Sequence, residues 1–105
     1  MISMKSFGFV LATRMLVDEK KKVRYMYREK PDNPQDSGWR FFCGDETDEY
    51  VQNPDNLGVY DINSIIQLDG DVVPYLSALP GHAFERDKVD SVFRMSEDFS
   101  AGEVE

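Results

Sequence analysis

Four carboxylates, Asp45, Glu46, Asp48 and Glu49, fall within one short stretch, and Asp69 and Asp71 bracket Gly70. Hard cations take such oxygen ligands. The twelve-residue calcium loop would need ligands at alternate positions and a closing Glu, and neither the Asp32 to Gly38 loop nor the Asp69 loop has them. These acids therefore read as helix caps and solvated surface, and no metal is expected. Cys43 and His82 are the single thiol and the single imidazole, the two groups a nucleophilic mechanism pairs. Cys43, however, sits in an aromatic, strand-like run where a small buried apolar residue would serve equally well, and His82 follows a Pro-Gly turn. A packed thiol and a surface or capping imidazole are expected, and no catalytic residue is assigned. Acid pairs of the glycosidase kind carry no weight either, because a chain with 20 acidic residues holds many by chance. No glycine-rich phosphate loop occurs, so no cofactor is expected.

Lys20, Lys21, Lys22, Arg24 and Arg28 interleave with Tyr25 and Tyr27, superficially a basic aromatic strand for nucleic acid. Twenty acidic against twelve basic side chains give a net charge of −8, which opposes binding to phosphate backbones and to anionic membranes. The lysines are expected to solvate a hairpin turn. Binding to protein is the chemistry that remains. Trp39, Tyr50 and Tyr60 are amphipathic aromatics set among Arg40 and acids, the usual composition of interface anchors. Trp39, Phe41 and Phe42 themselves read as core. The partner-binding candidates are therefore Asp45, Glu46, Asp48, Glu49, Tyr50 and Asp55.

The elements that must position these residues follow from periodicity. Phe7, Phe9 and Leu11 alternate with Gly8, Val10 and Ala12, a first strand, and Thr13 to Val17 continues it or makes a helical turn. Val23, Tyr25 and Tyr27 alternate with Arg24, Met26 and Arg28, a second strand. Pro31, Asn33, Pro34, Ser37 and Gly38 mark a loop. Trp39 to Cys43 is a short third strand, buried on both faces and closed by Gly44. Asp45 to Gln52 reads as one or two helical turns capped by Asp45 and stopped by Pro54, with a turn from Asn53 to Gly58. Asp61 caps a helix carrying Ile62, Ile65, Ile66 and Leu68, and Asp71 caps a second one through Val72 to Leu79. His82 to Arg86 and Ser91 to Met95 make a closing hairpin around an Asp87 to Asp90 turn.

Strands, then helices, then a hairpin imply an α+β fold with a small, mainly antiparallel sheet and two or three short helices. At 105 residues the chain can bury one modest core, so residues 1–95 are expected to form a single domain, with 96–105 an acidic, frayed tail. One cysteine excludes an internal disulfide and suits the reducing cytoplasm. No apolar run is long enough to span a bilayer.

Val23-Arg24-Tyr25-Met26-Tyr27-Arg28-Glu29, Asp36-Ser37-Gly38-Trp39-Arg40-Phe41-Phe42, Gly44-Asp45-Glu46, Pro54-Asp55-Asn56, Gly58-Val59-Tyr60-Asp61 and Ala83-Phe84-Glu85-Arg86 carry a resemblance across most of the chain, from about Phe7 to Met95. The chain resembles a bacterial family first described as a domain of unknown function and later classed among predicted immunity proteins of polymorphic toxin systems. The resemblance implies a non-enzymatic cytoplasmic protein that binds a cognate toxin domain and blocks its active site. An acidic face would then imitate substrate phosphates or cover a basic cleft. No catalytic residues and no fixed contact set come with it. Two alternatives stay open: a small hydrolase or ligand-binding enzyme using Cys43, His82 or an acid pair, and a homo-oligomeric accessory protein.

Overall fold

Runs rich in apolar and aromatic residues form strand β1 at Phe9–Thr13, β2 at Tyr25–Arg28 and, from Trp39 onward, most of β3 at Asp36–Phe42. The computed structural model describes residues 7–96. Leu57–Asp61 forms β4, Ala83–Glu85 β5 and Arg94–Met95 β6. The six strands lie in the order β4-β1-β3-β2-β5-β6. Among the described residues, only the β1–β3 pairing is parallel; the other four ladders are antiparallel. Helix α1 is Arg14–Asp18, α2 Asp48–Gln52 and α3 Ile62–Leu68, with 3-10 turns at Pro54–Asn56 and Gly70–Tyr75. The architecture is α+β, with a mainly antiparallel sheet.

The period-two rule separates the two faces of the sheet. Ala12, Phe41, Met26 and Phe84 are cross-strand partners in one continuous row, and all four are buried. Leu16, Ile62, Ile65, Val72 and Leu76 join them in the same core, so the helices cover this face. Trp39 is wholly buried there, donating its indole N–H to the Leu76 carbonyl at 3.2 Å. Withdrawing each such aromatic from water stabilises the fold by roughly 1.5–3 kcal/mol. The next row, Leu11, Arg40, Tyr27 and Ala83, points the other way. On that side Tyr25, Tyr27 and Phe42 cluster with ring centroids 5.8–5.9 Å apart, Tyr27 stacked on Phe42 and Tyr25 tilted against both.

The structure corrects several expected boundaries. β3 starts at Asp36, not Trp39, because the turn-forming residues Ser37 and Gly38 form a bulge inside the strand. Two residue steps along β1, from Phe9 to Leu11, run beside four along β3, from Asp36 to Arg40. Gly38 has φ +92°, and a Cβ there would stand 2.3 Å from the Glu29 carbonyl oxygen, so only glycine fits. The expected turn over 53–58 ends early, and Leu57 and Gly58 pair with Thr13 and Ala12 in β4. The helix after Asp71 is instead a 3-10 turn capped by Asp69, whose carboxylate accepts the Asp71 N–H at 3.1 Å. Pro74 lacks the N–H that an α-helix would need at that position. The last strand has two residues, not five. Asp61 caps α3 as expected, accepting the Asn63 N–H at 2.8 Å. The expected tail lies outside the described residues except for Ser96, whose N–H donates to the Ala83 carbonyl at 2.9 Å.

Candidate functional site

Between β3 and β4 the chain leaves the sheet for fourteen residues, and five of the six partner-binding candidates sit on α2 and the loop before it. Gly44, at φ +97°, turns the chain out, and the Arg24 side chain lies across it. Glu46 then folds back. Its carboxylate accepts the Thr13 hydroxyl at 2.5 Å, the Cys43 N–H at 2.9 Å and the Gly44 N–H at 2.9 Å. Burial opposes ionisation here, but the Thr13 and backbone hydrogen bonds outweigh it and hold the Glu46 carboxyl below its ordinary pKa. The Thr13 hydroxyl also caps α1, accepting the Leu16 N–H at 3.2 Å.

Thr47, rather than Asp45, caps α2: its Oγ1 accepts the Tyr50 N–H at 3.1 Å. Asp45 instead faces Lys21 at 3.1 Å and Arg24 at 3.8 Å. Tyr50 points inward, its hydroxyl accepting the Met15 N–H at 2.9 Å, so both α1 and α2 are fastened through one phenol. Asn56 closes the excursion, donating to the Tyr50 carbonyl at 2.9 Å, and Arg14 donates to the Asp55 carbonyl at 2.7 Å. The candidate acids therefore divide. Glu46 is half-buried and engaged from within, whereas Asp48, Glu49 and Asp55 are exposed and their carboxylates pair with no cation among the described residues. What the excursion offers outward is three free carboxylates, Asp48 and Glu49 on α2 and Asp55 on the 3-10 turn that follows it.

The family model of the Immunity protein Imm33 domain matches residues 10–96. The chain belongs to this immunity protein family. No curated protein and no solved structure matches it. The matched span of the Imm33 domain runs from β1 through β6 and includes the acidic excursion.

The remaining chemical candidates of this Imm33 domain lie elsewhere. Cys43 adjoins the start of β2, where Arg24 N–H bonds to Phe42 O, while His82 adjoins its far end through Arg28 N–H to His82 O. A four-residue strand, about 13 Å long, keeps thiol and imidazole apart. Burial pushes the Cys43 thiol up to about 11, so at neutral pH it is protonated and weakly nucleophilic. The imidazole Nδ1 lies 2.8 Å from the Leu79 carbonyl, a turn-closing contact.

Two buried ion clusters had no signal in local spacing. Arg40 joins both Nη atoms to both oxygens of Asp36, at 2.9 and 2.8 Å, and its Nε to Glu29 at 2.6 Å. The Arg40 hydrogen bond, helped by the Asp32 and Gly38 N–H groups, holds the Asp36 carboxyl well below the usual carboxylate range despite burial. Asp69, considered above as a metal ligand, is instead fully buried against Arg86 and also accepts the Val23 N–H at 3.0 Å. Arg86 reaches Asp71 at 3.0 Å as well. The lone arginine that closes the Ala83 to Arg86 run was the available clue, and only the folded chain supplies its acids.

Proposed function

We propose that this protein is a non-enzymatic binding protein that neutralises a cognate bacterial toxin domain, and that Asp45, Asp48, Glu49 and Asp55 contact that partner. The observation that carries the contact assignment is the anchored excursion: Glu46 and Tyr50 fix it from within while Asp48, Glu49 and Asp55 stay uncompensated at its surface. Preorganised, unpaired carboxylates cost little further ordering on association and attract a basic cleft from a distance. Glu46 and Tyr50 then serve the site as its anchors. Membership of an immunity protein family supports the neutralising role. The protonated Cys43 and its separation from His82 support a role without catalysis. The proposed place of action is the cytoplasm, where a lone thiol stays reduced.

Co-expression with a toxin domain encoded beside the gene gives the test. The triple reversal Asp48→Lys, Glu49→Lys and Asp55→Lys is expected to slow association at least about tenfold at low salt and to flatten its salt dependence. Folding is expected to stay intact, because these side chains are exposed and make no hydrogen bond or ion pair among the described residues. Unchanged association by the reversed protein would remove α2 from the interface.

A further inference from the structure

A second feature lies at the same end of the sheet as α2, where β1 and β3 finish and β2 begins. The 3-10 turn Gly70–Tyr75 and the segment from Arg86 to Phe93 enclose an open cleft of about 400 Å³, walled by Pro74, Tyr75, Val92 and Phe93 and carrying Asp71 and Asp90. Its size suits one small group or side chain.

The electrostatics of the cleft decide what it takes. Arg86 lies in its floor but is already engaged. Its Nε donates to the Val23 carbonyl at 2.9 Å, Nη1 to Asp71 at 3.0 Å and to the Ser91 carbonyl at 3.2 Å, and Nη2 to Asp69. Four of its five N–H donors are thus occupied, and the guanidinium stacks 4.2 Å above the Phe93 ring. An anion would find almost no free donor. Among the residues that line the cleft Arg86 is the one cation and Asp71 and Asp90 are carboxylates, and Arg86 is further paired with the buried Asp69 behind it, so the cleft is net negative. Asp71 keeps 61% of its side chain exposed, and Asp90 is exposed.

Apolar exposure marks the same place. Val92 is 82% exposed, and Val73 and Val89, on the two segments that form the walls, are 44% and 43% exposed. Large aliphatic groups left open beside a cleft with acids at its rim are the composition of a docking site. An alkyl stem needs the apolar wall, and a cationic head needs the carboxylates.

We propose that this cleft is a socket for an arginine or lysine side chain presented by the protein partner. The stem would lie against Val92 and Pro74, and the charged head would sit between Asp71 and Asp90. The identity of that partner as a toxin rests on the function proposed above; the socket's preference for a cation does not.

The experiment is a titration of the isolated, isotope-labelled full chain followed through its backbone amide resonances, with N-acetyl-L-arginine amide and N-acetyl-L-norleucine amide as probes. The arginine probe is expected to give saturable shifts confined to residues 70–75 and 86–93 at millimolar concentration, and the norleucine probe to bind at least about fivefold more weakly. Asp90→Asn, at an exposed residue outside the Arg86 hydrogen bonds, is expected to weaken the arginine probe at least about threefold. Equal response to both probes, no saturation, or shifts as strong at Asp48, Glu49 and Asp55 as in the cleft would overturn the socket. Protection of toxin-producing cells is a separate readout. A chain that binds the arginine probe but protects no cell would keep the socket and remove the immunity reading.

Discussion

Asp36 and Arg40 stand four positions apart on one strand yet meet face to face, both carboxylate oxygens against both guanidinium Nη atoms at 2.9 and 2.8 Å. A regular strand would separate their Cα atoms by about 13 Å. The bulge at Ser37 and Gly38 compresses that path to the length of two residues of β1, about 7 Å. The ion pair and the glycine are therefore one device, and the pair is buried, with side chains 4% and 1% exposed.

Breaking that device from one side should be severe. Arg40→Met is expected to lower unfolding free energy by about 3–5 kcal/mol, because Asp36 keeps its charge in a buried site. The double variant Arg40→Met, Asp36→Asn is expected to lose less than the sum of the single losses. Urea denaturation of the four proteins in a double-mutant cycle measures the coupling, and simple additivity would show that the pair is energetically unconnected.

Acid sensitivity follows from the same carboxylate. Arg40 holds Asp36 below its unfolded value near 3.8, and the Thr13 and backbone bonds hold Glu46 below its value near 4.5. A depressed folded-state pKa means that the unfolded chain binds protons first, so this stability is complete above about pH 5 and is lost as pH falls. Unfolding free energy measured at pH 5, 4 and 3 should decline steeply, and Asp36→Asn should make the decline shallower. A slope unaltered by the substitution contradicts the assignment.

Glu46 should act locally. Glu46→Ala removes the acceptor for the Thr13 hydroxyl and two backbone N–H groups, at an expected cost of about 1–3 kcal/mol. The effect should be concentrated in the excursion: amide exchange is expected to quicken at Val51, Asn53 and Asn56 more than at the β2 and β3 amides. Uniform acceleration across the sheet would mean that Glu46 supports the whole fold instead.

Cys43 offers a check on burial. With its thiol pushed up to about 11, alkylation by iodoacetamide at pH 8 is expected to run at least about a hundredfold slower in the native protein than in urea. Fast native labelling would place a reactive thiolate at this position.

Much of the sheet was readable in advance because alternation is local: Val10 with Ala12, and Tyr25 with Tyr27, reveal strands without reference to a partner. β4 has no local signature because Gly58 interrupts a run squeezed between Pro54 and the Asp61 cap, and only pairing with β1 makes it a strand. Thr47 and Asp45 are both acceptable caps by type, and the Lys21 and Arg24 cations decided between them by drawing Asp45 away. Among the site candidates, exposure was anticipated for Asp48, Glu49 and Asp55. The inward turn of Glu46 was not, since it depends on Thr13, 33 positions earlier in the chain. The partner of Arg86 was likewise set by a contact 17 positions away, which no periodicity encodes.

β1 lies between β3 and β4, although both follow it in the chain. A nascent chain leaving the ribosome thus releases this interior strand before either of its neighbours and holds it unpaired until residues 36–42, then 57–61, have emerged. The β2–β3 hairpin is the earliest pairing that local chain closure favours, and β1 must slot beside it with β4 sealing the other side. Until then, Phe9–Thr13 is an apolar segment with two open edges, so the protein's vulnerability to aggregation should peak during synthesis rather than in the finished molecule.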